Sequence, residues 1–149
     1  MTAPDRAGAR LTGISLDHVL LSDREPADDA AGEAPESARF SLDLQVVRPS
    51  PLRLRVALEL AGESGLPYDL QVVYAADFEM DDAVPPARRE AEWRDVAFRR
   101  APALLFPYVR ELVASLTSRW GDAPLLLPDD PELVDFTPDA YDIPPLSPA

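Results

Sequence analysis

The chain has 149 residues, and its 14 arginines stand against 27 acidic residues with no lysine, for a formal charge of −13. Such a charge opposes binding to nucleic-acid phosphates and to anionic membrane surfaces. With no cysteine and a single histidine, His18, neither a zinc-type ligand set nor a disulfide can be built, and the length suits one domain with one ordinary core.

Residues 1–10 carry no apolar run of the kind a secretory signal needs and read as a flexible N-terminus. Elsewhere the apolar runs, such as Ala103 to Phe106 and Leu125 to Leu127, fall far short of the about 20 residues that span a membrane. A cytoplasmic protein without membrane insertion is the expectation. From Leu11 to Leu21 the pattern predicts a strand with Ile14, Leu16, His18 and Leu20 on one face and Asp17 and Val19 on the other. Leu21 to Ala38, crowded with Asp, Glu, Pro, Ala and Gly, reads as a surface loop.

A second strand follows with Phe40, Leu42, Leu44 and Val46 alternating against Ser41, Asp43, Gln45 and Val47, and Pro49 and Pro51 turn the chain. The third is the sharpest period-two signal: Leu52, Leu54, Val56, Leu58 and Leu60 oppose Arg53, Arg55, Ala57 and Glu59. Gly62 to Gly65 predicts a turn, and Leu66 to Phe78 a fourth strand with Tyr68, Leu70, Val72 and Tyr74 on one face. Connections this short favour antiparallel pairing of strands 2, 3 and 4, because a parallel crossover needs a dozen or more residues.

Beyond Pro86 the period becomes helical. A short helix is predicted over Ala87 to Arg100, with Trp93, Val96 and Ala97 on one face and Pro102 as its stop. A long helix should then open at Pro107, carry Tyr108, Val109, Leu112, Val113, Leu116 and Trp120 as an apolar stripe, and stop at Gly121. Strands first and helices after make an α+β domain, a four-stranded antiparallel sheet with a short and a long helix packed on it. The prolines at 138, 144, 145 and 148 predict an extended tail over 137–149, leaving 11–136 as the folded domain.

Enzyme readings fail for want of parts. There is no lysine for a phosphate loop, Gly62-Glu63-Ser64-Gly65 is a hairpin turn before it is a phosphate cradle, and His18 has no nucleophile-elbow motif to serve. The pairs Asp28-Asp29, Asp81-Asp82 and Asp129-Asp130 match no calcium loop and read as solvated charge. No enzyme activity, cofactor or metal is therefore expected. Apolar residues are instead in surplus: Val47, Val73 and Ala75 oppose faces already counted as core, and the long helix brings a stripe of its own. A two-layer domain of this size cannot bury them all alone, which implies an oligomer, a surface for apolar ligands, or both.

One stretch resembles a known signature. Leu105-Phe106-Pro107-Tyr108-Val109-Arg110-Glu111-Leu112, with Leu125-Leu126-Leu127-Pro128 behind it, is similar to the SecB family of export chaperones, where Leu-Phe-Pro-Tyr-x-Arg-Glu opens the long helix and an apolar, proline-ended loop follows. Leu42-Asp43-Leu44 resembles that family's Leu-Asp-Leu on strand 2, and Tyr68, Leu70, Val72 and Tyr74 its alternating strand 4. The resemblance implies an ATP-independent holdase that keeps unfolded preproteins competent for translocation, assembled as a homotetramer (a dimer of dimers), with SecA as a possible further partner. It implies polypeptide binding at Phe40, Leu42, Leu44, Leu125, Leu127 and Phe136, and an oligomer interface at Tyr68, Leu70, Val72, Tyr74, Tyr108, Leu112, Val113, Leu116 and Trp120. The family's acidic SecA contacts are poorly matched, since Leu20 and Gln71 stand where acids are expected although Asp23, Glu25 and Asp69 are nearby, and a proline-broken tail replaces the family's further helix and its Cys- and His-containing or basic tail. An adaptor dedicated to one partner, such as a toxin–antitoxin chaperone, is the alternative. Core is the competing role for Phe40, Leu42 and Leu44.

Overall fold

The computed structural model describes residues 8–23, 39–120 and 124–128. Four strands, β1 (Ala9–Asp23), β2 (Arg39–Ser50), β3 (Arg53–Ser64) and β4 (Tyr68–Met80), are followed by α1 (Pro86–Asp95), one turn of π-helix (Val96–Arg100) and α2 (Ala101–Trp120). The strands form one antiparallel sheet in the order β1, β4, β3, β2. The expected α+β architecture and the β2–β3–β4 meander are thus present, and β1 comes in beside β4. β1 already includes Ala9 and Arg10 and runs on to Asp23, into the stretch expected as a loop from Leu21 to Ala38, whereas residues 1–7, the rest of that loop (24–38), Gly121, Phe136 and the tail over 137–149 lie outside the described residues.

Alternation in β2, β3 and β4 follows the sequence. Leu42, Leu44, Leu54, Val56, Leu58, Leu60, Leu70, Val72, Ala76 and Phe78 are all buried in one cluster with the helices. The β3–β4 turn sits later than predicted, because β3 runs on to Ser64 and the reversal falls on Gly65, whose φ of 79° only glycine adopts freely.

β1 departs from simple alternation. Its register against β4 slips between Leu11 and Gly13 and again between Leu16 and His18, and each extra residue exchanges the two faces. Leu16 is opposite Tyr74 and Val19 opposite Val72, so both look toward the helices. His18 and Leu20 are opposite Val73 and Gln71, on the open face. The single face expected for Ile14, Leu16, His18 and Leu20 is therefore divided at Asp17, with Val19 on the side of Leu16.

The helical half also differs from expectation. Helical dihedrals continue through Asp95, Val96 and Ala101, so Pro102 does not end the first helix and Pro107 lies inside α2 and not at its start. An interior proline removes an N–H and collides with the carbonyl four residues back. The π turn absorbs this: the Ala101 N–H bonds to the Val96 oxygen five residues back, widening the helix just before Pro102.

This continuous helical run is tied down at its first half. Trp93 is fully buried and its indole N–H donates to the Pro51 carbonyl at 3.3 Å, fixing α1 against the β2–β3 turn. The start of β1 is held by two side chains, since Glu92 accepts the Ala9 N–H at 3.3 Å and Arg100 donates to the Ala9 carbonyl at 3.0 Å. Trp93→Ala should remove both the indole and its bond, lowering the unfolding free energy by about 3–5 kcal/mol. Urea denaturation followed by circular dichroism measures it, and a loss under about 1 kcal/mol would contradict Trp93 as the keystone of this layer.

Candidate functional site

α2 packs across β4 and β3, through Leu105, Phe106, Val109 and Val113, all fully buried. Both outer strands, β1 and β2, lie beside the helix, and their inward faces meet different fates. On β1, Leu16 and Val19 remain 44% and 43% exposed, whereas on β2, Leu42 and Leu44 are only 4% and 5% exposed.

The helix itself accounts for the asymmetry. At about 100° per residue, Tyr108 and Leu112 share one flank of α2, and Arg110 and Thr117 the opposite one. On the first flank, the exposed Tyr108 ring stands 5.7 Å from that of Tyr74, which pairs with Leu16 of β1. Leu16, Val19, Tyr74 and Tyr108 thus form an open apolar strip along a strand edge that, among the described residues, has no partner strand. Burial, then the Glu111 carboxylate and Tyr108, holds the Tyr74 phenol above its ordinary pKa.

On the second flank lies the segment 124–128, which has neither helix nor strand. The Leu125 N–H donates to Thr117 Oγ1 at 2.7 Å, and Arg110 Nε donates to the Leu127 carbonyl at 2.9 Å. Thr117 is itself buried, and its hydroxyl donates a hydrogen bond to the Val113 carbonyl at 2.7 Å. Held in this way, Leu127 is 3% exposed and joins the cluster that contains Leu42 and Leu44, while Leu126 is 72% exposed.

The residues singled out from the sequence fall into distinct places. Leu42, Leu44 and Leu127 are brought together in the core with Phe40 and Leu125 packed partly buried against it, and Phe136 lies outside the described residues. Tyr68, Leu70, Val72 and Val113 are buried within the single chain, which gives them a core role there. Tyr74, Leu112 and Leu116 are half-buried, and Tyr108 is open. The sequence reading did not single out Leu16 and Val19, because the bulge hides their common face, nor Thr117, whose signal was a lone polar residue on an otherwise apolar helix face.

The open face of the sheet carries a charged network at the same bulge. Arg55 on β3 reaches across β4 to donate to both Asp17 oxygens at 2.7 and 2.6 Å, to Asp77 at 2.7 Å and to Ser15 at 3.2 Å. The Arg55 hydrogen bond, then that of Ser15, holds the Asp17 carboxyl below its usual range against an opposing effect of burial, and Arg55 is held above its own. Among the described residues no group of three or more metal-ligating side chains occurs, and no helix is long and apolar enough to cross a membrane.

No family model matches the sequence. The protein-export protein SecB of Ehrlichia chaffeensis (strain Arkansas) is 31% identical over 125 residues, covering 83% of this chain and 66% of that protein. The chain belongs to the SecB family. SecB of Ehrlichia canis (strain Jake) is 30% identical over 99 residues, covering 64% of this chain and 54% of its own length, so the chain spans between about half and two thirds of these SecB relatives. The SecB-like fold is seen directly in the Mycobacterium tuberculosis SecB-like chaperone solved with a ChAD peptide from the HigA1 antitoxin. It superposes with a TM-score of 0.62 at 19% identity, over 82% of this chain and 87% of that one. Membership agrees with the signature at Leu105 to Glu111, which the structure places at the α2 segment crossing the sheet.

The Asp17 network gives a pH prediction. A carboxyl whose folded pKa is depressed stabilises the fold above its unfolded value, near 3.9, and that contribution is lost as pH falls through the folded value. The pair is one-third exposed, so solvent screening holds its worth to about 1 kcal/mol or less. Between pH 5 and pH 2, Asp17→Asn should therefore lose less stability than the parent chain, as urea midpoints would record. Parallel losses in the two proteins would refute the assignment.

Proposed function

We propose that this chain is a subunit of an ATP-independent holdase that binds unfolded polypeptides, preproteins included, and keeps them from aggregating. One observation carries the reading: on a SecB-like sheet, the inward apolar face is wider than the helix laid on it, leaving apolar side chains beside two strand edges that no other described strand pairs with. Extended client backbone can pair with such an edge while its side chains enter apolar pockets, and neither step needs a catalytic group, a cofactor or a nucleotide. We assign client binding to the β2 side, with Phe40, Leu42, Leu44, Leu125 and Leu127. The net charge of −13 favours basic clients and keeps a loaded complex soluble.

The β1 side is assigned to assembly. Leu16, Val19, Tyr74 and Tyr108 are continuous with a free backbone ladder, the requirement for a second copy to extend the sheet, and a dimer of such dimers would enclose the outer faces of α2. SecA is a candidate receiver of clients, with Leu20 and Gln71 weakening the case.

The M. tuberculosis fold neighbour with its antitoxin peptide favours a second reading, an adaptor that serves one dedicated chain. The two diverge on selectivity. A holdase at about one tetramer per client should suppress light scattering from several unrelated refolding proteins, with no effect of ATP and less effect at high salt. Suppression of none at molar excess would remove the holdase reading.

Assembly has its own test. Leu16→Arg with Val19→Arg should leave the circular dichroism spectrum nearly intact, because both side chains are exposed in the single chain, while light scattering reports a fall to the monomer. A parent chain that is already monomeric at micromolar concentration would exclude the interface.

A further inference from the structure

The hydropathy of β1 describes a strand other than the one observed. Strict alternation puts Ile14, Leu16, His18 and Leu20 on one face, and continued without a slip from Leu16 opposite Tyr74 it would set His18 opposite Val72 and Leu20 opposite Leu70. Instead Asp17 is an extra residue with no partner on β4, so Val19 meets Val72 and Leu21 meets Leu70. A leucine covers Leu70 in either register. Burial therefore discriminates only between Val19 and His18 at the edge, while the bulge interrupts the regular ladder. The slip needs a further support.

That support stands on the open face. Arg55, in register with Asp77 and through it with Gly13, sends its guanidinium past the row of Ala57, Ala75 and Ser15 to both oxygens of Asp17, at 2.7 and 2.6 Å. Small residues clear the path: Gly13 has no side chain, and Ala57 and Ala75 are 9% and 0% exposed although no described element lies above them. The near end of the fork is fixed by Asp77 at 2.7 Å and Ser15 at 3.2 Å, which sets its reach. By fitting two residues of β1 into one step of β4, the bulge draws Asp17 back toward Arg55 by part of the about 3.4 Å rise of a strand residue. Without the slip the fork falls short.

Resting on the reading that the β1 side serves assembly, we propose that Arg55 is a positioning residue that holds β1 in the bulged one of two registers, the register that composes the self-association edge. It acts through Asp17 and from the opposite face, since Leu16 and Val19 look toward the helices. In the bulged register a second copy meets Leu16 and Val19 together, with Leu21 behind them. In the regular register it would meet Leu16 with His18 and Leu20, and Val19 would turn to the open face. The partner is thus a second copy of this chain with its own β1 held in the same slip.

The native chain has no cysteine, so introduced pairs report the register alone. Leu20→Cys with Gln71→Cys places two thiols on direct partners of the bulged register, whereas Val19→Cys with Gln71→Cys would do so only in the regular one. Facing residues of an antiparallel pair lie about 4.5–5.5 Å apart, inside disulfide range. Each pair is oxidised in the full-length protein with Arg55 in place and again with Arg55→Met, which keeps an apolar stem over the alanines and removes the fork. Intrachain bridges are identified by peptide mass in the monomer band of a denaturing gel. With Arg55 in place the 20–71 pair should bridge and the 19–71 pair should not. Arg55→Met should raise the 19–71 bridge about threefold or more, and in the cysteine-free chain it should raise the concentration of half-dissociation, read by sedimentation, about three- to tenfold. A merely structural loss would weaken both bridges alike. That result, an unchanged bridging pattern or unchanged association overturns the proposal and leaves the assembly reading intact. If Arg55→Met does not fold, Asp17→Ala removes the far anchor, and the same two measurements decide by the same outcomes. A parent chain that is monomeric at micromolar concentration removes the assembly reading and the proposal with it.

Discussion

A mismatch of widths governs this molecule. Four strands about 4.8 Å apart put some 14 Å between the outermost strand axes, and side chains widen that further, whereas a helix with its side chains is about 10–12 Å across. One long helix can therefore roof two strands and not four. α2 takes β3 and β4, and the two outer strands must find cover elsewhere. On β2, Leu42 and Leu44 are buried in the core cluster that Leu127 also joins; on β1, among the described residues, Leu16 and Val19 stay open. The asymmetry leaves a single short domain with one buried and one bare outer strand.

The polar groups near these surfaces hold them in place. Arg55 ties three strands together on the open face, Glu92 and Arg100 fasten the first residue of β1 to the helical layer, and Thr117 with Arg110 secures the returning segment. Each joins an irregular piece of backbone to a regular one. That matters because irregular backbone leaves N–H and C=O groups without ladder partners, and a buried unpaired group costs about 1–3 kcal/mol. Arginine suits these tasks, since its planar fork can bridge two acceptors at once.

Much of this was legible from residues. β2, β3 and β4 announce their faces by period two, as Leu42-Asp43-Leu44 and Leu54 to Leu60 do, and the family signature at Leu105 to Glu111 identified the fold. Less was legible where one residue changes the geometry of its neighbours. The bulge at Asp17 leaves no trace in hydropathy, and the residue that Asp17 meets there, Arg55 reaching across β4, lies 38 residues away. Pro102 reads as a helix stop in any local rule, and only the π turn before it lets the helix continue. The place of Leu127 could not be read either: an apolar loop after a helix is equally compatible with an exposed ligand-contacting loop and with one folded back into its own core.

The two bulges in β1 bear on the fate of an exposed strand edge. A straight, regular edge offers its ladder to any extended chain, and the risk is open-ended growth, sheet upon sheet. In β1 the slips at Leu11–Gly13 and Leu16–His18 break the ladder into short, phase-shifted stretches, and the apolar side chains that would reward pairing change sides at each one. An arbitrary strand finds only a few residues in phase before the pattern inverts. A second β1, running antiparallel with its own breaks at matching positions, is the strand shaped to meet it, and a two-fold contact of that kind leaves no further β1 edge to recruit another. The irregularity thereby converts a sticky edge into one that self-association would close.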